Sequence, residues 1–207
     1  LITWGTEGDV RPFLALARAL SLRGHDTSVS YVNVEGRSFD ALAAACGVTA
    51  TAVAGDYYRD NRARIHQLAG ESLRRASPPA QFDLILRDLM DPIADARLQH
   101  ALAVAARSDV LVGHILAHPI ATAAAKLGVP CVSIALQPIF RSKRYPPAGA
   151  GDAGFLNPWL WRLADWVMGR ALDPRIAKQR RALGLPPERF DACRADAFQC
   201  TIRRSSP

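Results

Sequence analysis

The chain opens with Leu1-Ile2-Thr3-Trp4-Gly5-Thr6-Glu7-Gly8-Asp9-Val10-Arg11-Pro12-Phe13-Leu14, where a short apolar run passes through a polar, glycine-containing loop. The apolar run predicts the tail of a first β-strand. The apolar residues after the loop recur at helical spacing, as Phe13, Leu14, Leu16, Ala17 and Leu20. Gly24 follows them and suits the left-handed position that ends many helices. The stretch therefore predicts a strand, a loop and a helix, the first unit of an α/β domain.

The same alternation continues along the chain and predicts a sheet covered by helices on both faces. Strands are predicted at 27–32, 48–53, 109–112, 129–136 and 198–202. Helices are predicted at 39–46, 82–107 with a break at Pro92, 120–127, 157–171 and 173–183, while residues 55–80 stay ambiguous. We therefore expect residues 1–207 to form a single domain with a doubly wound, mostly parallel, Rossmann-like sheet.

The charge and cysteine content narrow the classes of function. Lys and Arg number 26 against 19 Asp and Glu, a formal net charge of +7. The arginines are mostly scattered, and no RNP-like or helix-turn-helix pattern accompanies them, so no nucleic-acid partner is predicted. No uninterrupted apolar stretch of about 18 residues occurs, which argues against a membrane-spanning helix. The four cysteines, Cys46, Cys131, Cys193 and Cys200, show no metal-binding spacing, so we expect reduced thiols, a cytoplasmic protein and no metal site.

Three loops are predicted at one edge of the sheet. They span residues 5–12, 113–119 and 136–147, and each follows or lies beside the carboxyl end of a predicted strand. Open α/β sheets bind ligands at that edge. The first loop lacks the GxGxxG spacing of a dinucleotide site, and Glu35 after the second strand is a poor ribose anchor, so an NAD-dependent oxidoreductase is disfavoured.

The first loop also carries a resemblance. Gly5-x-x-Gly8-Asp9-Val10-x-Pro12-Phe13, with Arg23-Gly24-His25 beyond it, resembles the opening of nucleotide-sugar glycosyltransferases with the two-domain GT-B fold. The bacterial branch with sterol, antibiotic-aglycone and rhamnolipid glycosyltransferases is the most similar in motif. Three further segments agree with it: Ala125-Lys126-Leu127-Gly128-Val129-Pro130, Gln137-Pro138 followed by Tyr145-Pro146-Pro147, and Arg180-Arg181-x-Leu183-Gly184-Leu185-Pro186-Pro187.

This resemblance covers only the first of the family's two domains. It implies that the chain is an N-terminal acceptor-binding domain, whose own C-terminal donor-binding domain is absent from residues 1–207. The chain ends at Ser205-Ser206-Pro207, near the point where the family's linker would begin. A cut chain, further disordered residues and a naturally short relative all remain open. We expect the piece to be inactive alone; the rival is a non-catalytic module that binds an acceptor or a partner.

The resemblance assigns roles to residues of the first loop. It implies that Asp9 is the base that deprotonates an acceptor hydroxyl, and that Gly5, Thr6 and Gly8 lie near the diphosphate of a UDP- or dTDP-sugar. No metal or tightly bound cofactor is implied. The residue types alone favour a different role for Asp9, since an aspartate just before Arg11 and Pro12 is a good N-cap for the first helix. One residue can serve both purposes.

Residues of the other two loops are expected to line the acceptor pocket. His114, His118 and Gln137 follow or flank predicted strand ends, and one of the histidines is an alternative base to Asp9. Structural or solvated roles for all three remain open. The implied acceptor is a hydrophobic small molecule or a lipid, which allows peripheral contact at the inner membrane surface.

The segment 155–168 is aromatic and amphipathic. Leu156, Leu160, Leu163 and Val167 recur at spacings of four, three and four and predict the buried stripe of a helix, with Trp161 pointing elsewhere. Packing against the core is the plain interpretation. An acceptor lid or a contact with a membrane surface is the alternative.

Overall fold

A sheet of parallel strands lies at the centre of the protein. The computed structural model describes residues 1–74, 78–114, 118–136, 141–147 and 150–189. Within them the strands are β1 (Ile2–Gly5), β2 (Ser28–Asn33), β3 (Thr49–Ala52), β4 (Leu111–His114) and β5 (Cys131–Ile134), in the order β3-β2-β1-β4-β5. All the pairings are parallel. The predicted α/β, Rossmann-like fold is confirmed; the strand predicted at 198–202 lies outside the described residues.

Helices connect the strands. They are α1 (Glu7–Ser21), α2 (Asp40–Ala45), α3 (Gly55–Asp60), α4 (Arg62–Arg74), α5 (Pro78–Leu84), α6 (Ala94–Ala105), α7 (His118–Leu127) and α8 (Asn157–Ala182). A π-helical stretch (Ile85–Met90) and a 3-10 turn (Asp91–Ile93) separate α5 from α6, so the break predicted at Pro92 is confirmed. The ambiguous region 55–80 is helical in its described part.

The two faces of the sheet bury different helices. Alternate residues of a strand point to opposite faces, which places Ile2 and Trp4 on one face and Thr3 and Gly5 on the other. The first face packs on α6, α7 and α8, because Ile2 clusters with residues of α6 and α7, and Trp4 with Leu172 of α8. The second face packs on α1 and α2, whose buried residues meet Val29 and Tyr31 of β2.

The change of face occurs at β1. This strand pairs with β2 on one side and with β4 on the other, and the helices after β1 and β2 cover the face opposite to α6 and α7. Such a switch point leaves a crevice beyond the carboxyl ends of the two central strands, where ligands of open α/β sheets bind. In this sheet those ends are Gly5 and His114.

Helix α8 corrects two predictions. It runs unbroken through Pro174, where two helices were expected, because buried Leu172 and Ile176 pack on either side of the proline. The predicted stripe is also wrong: Leu156 and Leu163 are exposed, whereas Trp161 is buried and its indole N–H donates to the Tyr145 carbonyl at 2.9 Å. Apolar side chains surround this helix, so their spacing does not identify the buried side.

Candidate functional site

Asp9 lies in the first turn of α1, and its carboxylate bonds to Thr6, the residue just before the helix. Its Oδ2 accepts hydrogen bonds from the backbone N–H of Thr6 at 2.8 Å and from the Thr6 hydroxyl at 3.0 Å. Thr6 is the N-cap residue and Asp9 is the third residue of the helix. The prediction that Asp9 is itself the N-cap is therefore wrong in position, although the carboxylate still satisfies a backbone donor at the start of the helix.

Gly5 is required by the position of that carboxylate. Its φ is +144°, which side chains rarely adopt, and a Cβ added here would lie 2.1 Å from Asp9 Oδ2. Gly8 differs, because the atom nearest to an added Cβ is Thr6 Oγ1 at 3.6 Å, an ordinary contact. Two glycines were predicted to lie near a donor. The local structure requires a glycine at position 5, but it leaves room for a side chain at position 8.

The second carboxylate oxygen of Asp9 remains available for chemistry. Among the described residues, no hydrogen bond is made to Oδ1, and the side chain is half-buried at the carboxyl edge of β1. The hydroxyl of Thr3 donates to the Asp9 carbonyl at 3.1 Å and ties the first turn of α1 to the strand. The capping bonds thus orient a carboxylate at the switch point while one oxygen stays able to accept a proton.

His114 ends β4 on the opposite side of the crevice. Because Ile2 pairs with Gly113, the register continues to Thr3 and His114, which places the His114 side chain on the α1 face of the sheet. Burial lowers the pKa of His114, the positive charge of Arg97 lowers it further, and the negative charge of Asp9 raises it. The structure therefore brings the predicted residues Asp9 and His114 within electrostatic reach of each other.

His118 is more deeply enclosed at the first residue of α7. Burial, with the charges of Arg97 and Arg175, lowers its pKa to about 3, so the ring is neutral at pH 7. Its Nδ1 is buried, and none of the described residues forms a hydrogen bond with it. A neutral ring of this kind is able to hold one hydrogen bond to a ligand but is a very weak base.

Arg97 of α6 is a site residue that sequence reasoning missed. Its side chain is 6% exposed, and burial lowers its pKa to about 10. Its charge acts on both His114 and His118. The sequence pattern could have revealed Arg97, because it lies four residues after Ile93 and four before Ala101, on the buried stripe of the helix. A charged side chain is unusual at such a position.

An open hollow of about 290 Å³ lies one strand away on the same edge, at the ends of β2 and β3. Its rim is joined to α1, because Arg37 Nη1 donates to Glu7 Oε2 at 3.2 Å. Buried Asn33 lines it and accepts from the backbone N–H groups of Glu35 and Arg37. No site was predicted here. The predicted residues Asp9 and His114 lie instead at the ends of β1 and β4.

Other predictions have different outcomes. Gln137, expected to contact an acceptor, lies outside the described residues, as do Cys193 and Cys200. Cys46 and Cys131 are half-buried. In the described ranges, no group of three or more His, Cys, Asp or Glu side chains is arranged to hold a metal ion. None of the helices described there has the length and apolar character needed to cross a membrane.

No protein-family model matches the chain, and no curated protein is significantly similar to it. Among solved structures it is similar to the glycosyltransferase SnogD from Streptomyces nogalater, with 22% identity, a TM-score of 0.45, and coverage of 90% of this chain and 41% of SnogD. The glycotransferase of kitacinnamycin gives 20% identity, a TM-score of 0.44, and coverage of 89% and 40%.

A third solved structure is CalG4, the calicheamicin glycosyltransferase, with 17% identity, a TM-score of 0.39, and coverage of 89% of this chain and 41% of CalG4. The chain therefore spans about 40% of the length of the glycosyltransferases it matches. The similarity to glycosyltransferases indicated by the sequence motifs is thus also found among solved structures. At such identities and TM-scores it carries no argument about activity, which has to be argued from the site.

Proposed function

We propose that the chain is the acceptor-binding domain of an inverting glycosyltransferase, which moves a sugar from a nucleotide-sugar donor to a hydroxyl of a hydrophobic small molecule or lipid. One observation carries the proposal. The Asp9 carboxylate is fixed at the switch point of a parallel sheet, with Oδ2 in the capping bonds and Oδ1 without a hydrogen bond from the described residues, and its charge acts on His114. The sequence motif around Asp9, which resembles that of GT-B glycosyltransferases, also supports it.

The proposed chemistry is a single displacement. The acceptor oxygen attacks the anomeric carbon from the side opposite to the nucleotide, the new C–O bond forms, and the nucleoside diphosphate leaves with the electrons of the broken bond. The proton of the hydroxyl passes to Oδ1 of Asp9. A carboxylate is a weak base, so it acts late, as bond formation makes the hydroxyl more acidic. The two hydrogen bonds from Thr6 to Oδ2 hold the Asp9 carboxylate in one orientation towards the acceptor hydroxyl.

The histidines are assigned to the acceptor. Nδ1 of His118 is buried and has no hydrogen-bond partner in the part of the chain that the structure describes, which suits one hydrogen bond to a polar group of an otherwise apolar acceptor. His114, whose pKa the Asp9 charge raises, would orient the reacting hydroxyl or share its proton. Gln137 is proposed as a further acceptor contact.

The donor is proposed to be a UDP- or dTDP-sugar. Its diphosphate would approach the N-terminus of α1 at Gly5, Thr6 and Gly8, where a helix favours negative charge. Most of the donor site is assigned to a separate C-terminal domain outside residues 1–207. The piece alone is therefore expected to be inactive, and the complete protein is expected to act in the cytoplasm, with peripheral contact at the inner membrane surface.

The test uses the complete protein with a panel of UDP- and dTDP-sugars and hydrophobic alcohols, and release of nucleoside diphosphate is measured with and without acceptor. Acceptor-dependent release, with an inverted anomeric centre in the product, is expected. A complete protein that binds such alcohols but turns over no donor would support the rival, a non-catalytic binding module. Turnover by residues 1–207 alone would contradict the proposed need for a second domain.

A further inference from the structure

An exposed aromatic face runs along the first half of α8. Phe155, just before the helix, is 88% exposed, and Trp159, Leu163 and Trp166 are 63%, 56% and 58% exposed. The last three follow one another at spacings of four and three, so they lie on one side of the helix. Buried Trp161 and Leu172 mark the opposite side. We call Phe155, Trp159, Leu163 and Trp166 the aromatic face.

Arginines are interleaved with these aromatic side chains. The guanidinium of Arg162 lies over the Trp159 ring at 4.8 Å, and that of Arg170 lies over the Trp166 ring at 5.0 Å. Arg170 follows Trp166 by four residues and so extends the same side of the helix. Such contacts hold a charged group against an apolar surface while its other donors remain in water.

A basic loop is fastened to α8 on the side of Trp161 and Asp165. Arg141 Nε donates to Asp165 Oδ2 of α8 at 2.6 Å, and Tyr145 accepts the Trp161 indole N–H through its carbonyl. Lys143 and Arg144 lie between these two anchors and are exposed. Among the described residues no ion pair neutralises Lys143, Arg144, Arg162 or Arg170.

The acidic groups nearby offset this charge only in part, because residues 141–173 carry five basic side chains and three carboxylates, those of Asp152, Asp165 and Asp173. Asp165 is paired with Arg141, and its side chain is only 18% exposed. The exposed carboxylate of Asp152 accepts bonds from the Gly154 N–H and from the Asn157 amide. The surface therefore combines large apolar side chains with an excess of positive charge, which complements an anionic lipid surface.

We propose that the aromatic face and its arginines dock the protein on an anionic lipid bilayer. Tryptophan prefers the interface between headgroups and acyl chains, and arginine side chains reach from there to lipid phosphates. α8 would lie parallel to the membrane plane with its buried side towards the sheet.

The experiment measures binding of the complete protein to phosphatidylcholine vesicles with and without phosphatidylglycerol, by co-sedimentation over a range of NaCl concentrations. We expect binding to the mixed vesicles that weakens as salt rises, because the attraction is partly electrostatic. The Trp159→Ala/Trp166→Ala variant should bind them at least about tenfold more weakly, because it loses two interfacial aromatic anchors.

Matched variants control for general loss of apolar or basic residues. Leu22→Ala/Val110→Ala removes two exposed apolar side chains elsewhere and should bind as the parent does. Arg162→Gln/Arg170→Gln should weaken binding by about fivefold for each arginine, since a basic residue near an anionic surface contributes that much. Arg18→Gln/Arg23→Gln, both exposed on or just after α1, should change it far less. Thermal unfolding shows whether each variant is folded.

Several results would overturn the proposal. Equal binding by the tryptophan variant and its control would do so, as would equal binding to neutral and anionic vesicles at all salt concentrations. Self-association that depends on Trp159 and Trp166, without vesicle binding, would assign the face to a second copy of the chain. Vesicle binding is measured without any sugar donor, so its outcome is independent of the proposed transferase activity.

Discussion

Asp9 raises the pKa of the His114 imidazole from across the crevice between β1 and β4. The two residues lie on separate segments of the chain, and the sheet order brings their strands side by side. Burial and Arg97 act on His114 in the opposite direction. A carboxylate and a largely neutral imidazole therefore share the place where a parallel sheet binds its ligand, a combination suited to accepting a proton from a hydroxyl.

The electrostatic link between the two residues is testable by NMR. Asp9→Asn should lower the pKa of His114, because it removes the nearby negative charge, and Arg97→Gln should raise it, because it removes a positive one. The ring carbon–proton signals of His114 followed against pH give both values. The exposed His25 serves as an internal control, and an unchanged His114 titration in both variants would show that these charges do not act on it.

The capping role and the proposed basic role of Asp9 are separable. Asp9→Asn keeps an oxygen that accepts the Thr6 N–H, so stability should change little while kcat falls by about 100-fold or more in the complete protein. Thr6→Ala keeps the carboxylate but removes the capping hydroxyl, which should cost about 1 kcal/mol of stability and leave most of kcat. Equal losses of stability in both, with kcat unaffected by Asp9→Asn, would leave Asp9 a capping residue only.

The two glycines of the first loop should respond oppositely to alanine. Gly5→Ala places a Cβ against the Asp9 carboxylate at a positive φ, and the combined loss of the cap and backbone strain should cost about 2–4 kcal/mol. Gly8→Ala, at a helical position with room for a methyl group, should stabilise by up to about 1 kcal/mol. Urea unfolding measures both changes; similar small effects would mean that the carboxylate is not held over Gly5.

His118 should make stability depend on pH. Its pKa of about 3 in the folded protein lies below the 6.5 of an unperturbed histidine, so between those values the unfolded chain binds a proton that the native chain excludes. The free energy of unfolding should therefore fall as pH drops below about 6.5, by up to about 1.4 kcal/mol for each pH unit. His118→Gln should flatten this slope, whereas the exposed His66→Gln should not; parallel slopes in the two variants would contradict the burial of His118.

The buried side of α8 is checked by two tryptophan substitutions. Trp161→Ala removes a 4% exposed ring and its bond to the Tyr145 carbonyl, and should cost about 3–5 kcal/mol. Trp159→Ala removes a 63% exposed ring and should cost less than about 1 kcal/mol. Urea unfolding of the two variants compares them directly, and the reverse order would favour the leucine stripe predicted from spacing.

Local pattern was enough for much of the architecture. The alternation of apolar runs and helical spacing predicted the parallel sheet, and Gly24 adopts the left-handed conformation expected after α1, with a φ of +87°. The break before α6 was likewise predicted from Pro92. These features depend on residues close together in the chain, so spacing and backbone preference reveal them.

Spacing failed where several sides of a helix carry apolar residues. In α8 the leucine pattern pointed to Leu163, yet contact with the loop that contains Tyr145 buries Trp161 instead. In α1 the type of residue suggested Asp9 as the N-cap, while the first hydrogen-bonded turn starts at Thr6. Each choice depends on a partner or a helix boundary that the local pattern does not specify.

The sequence by itself determined the strand-loop-helix order and the presence of an aspartate in the first loop, because backbone propensity and apolar periodicity are local properties. Only the tertiary structure decided that the charges of Asp9 and of the buried Arg97 both act on His114. Strand order depends on which apolar faces pack against each other. The free energy of that packing arises between segments far apart in the chain. The same packing left Trp159 and Trp166 in solvent while it enclosed Trp161.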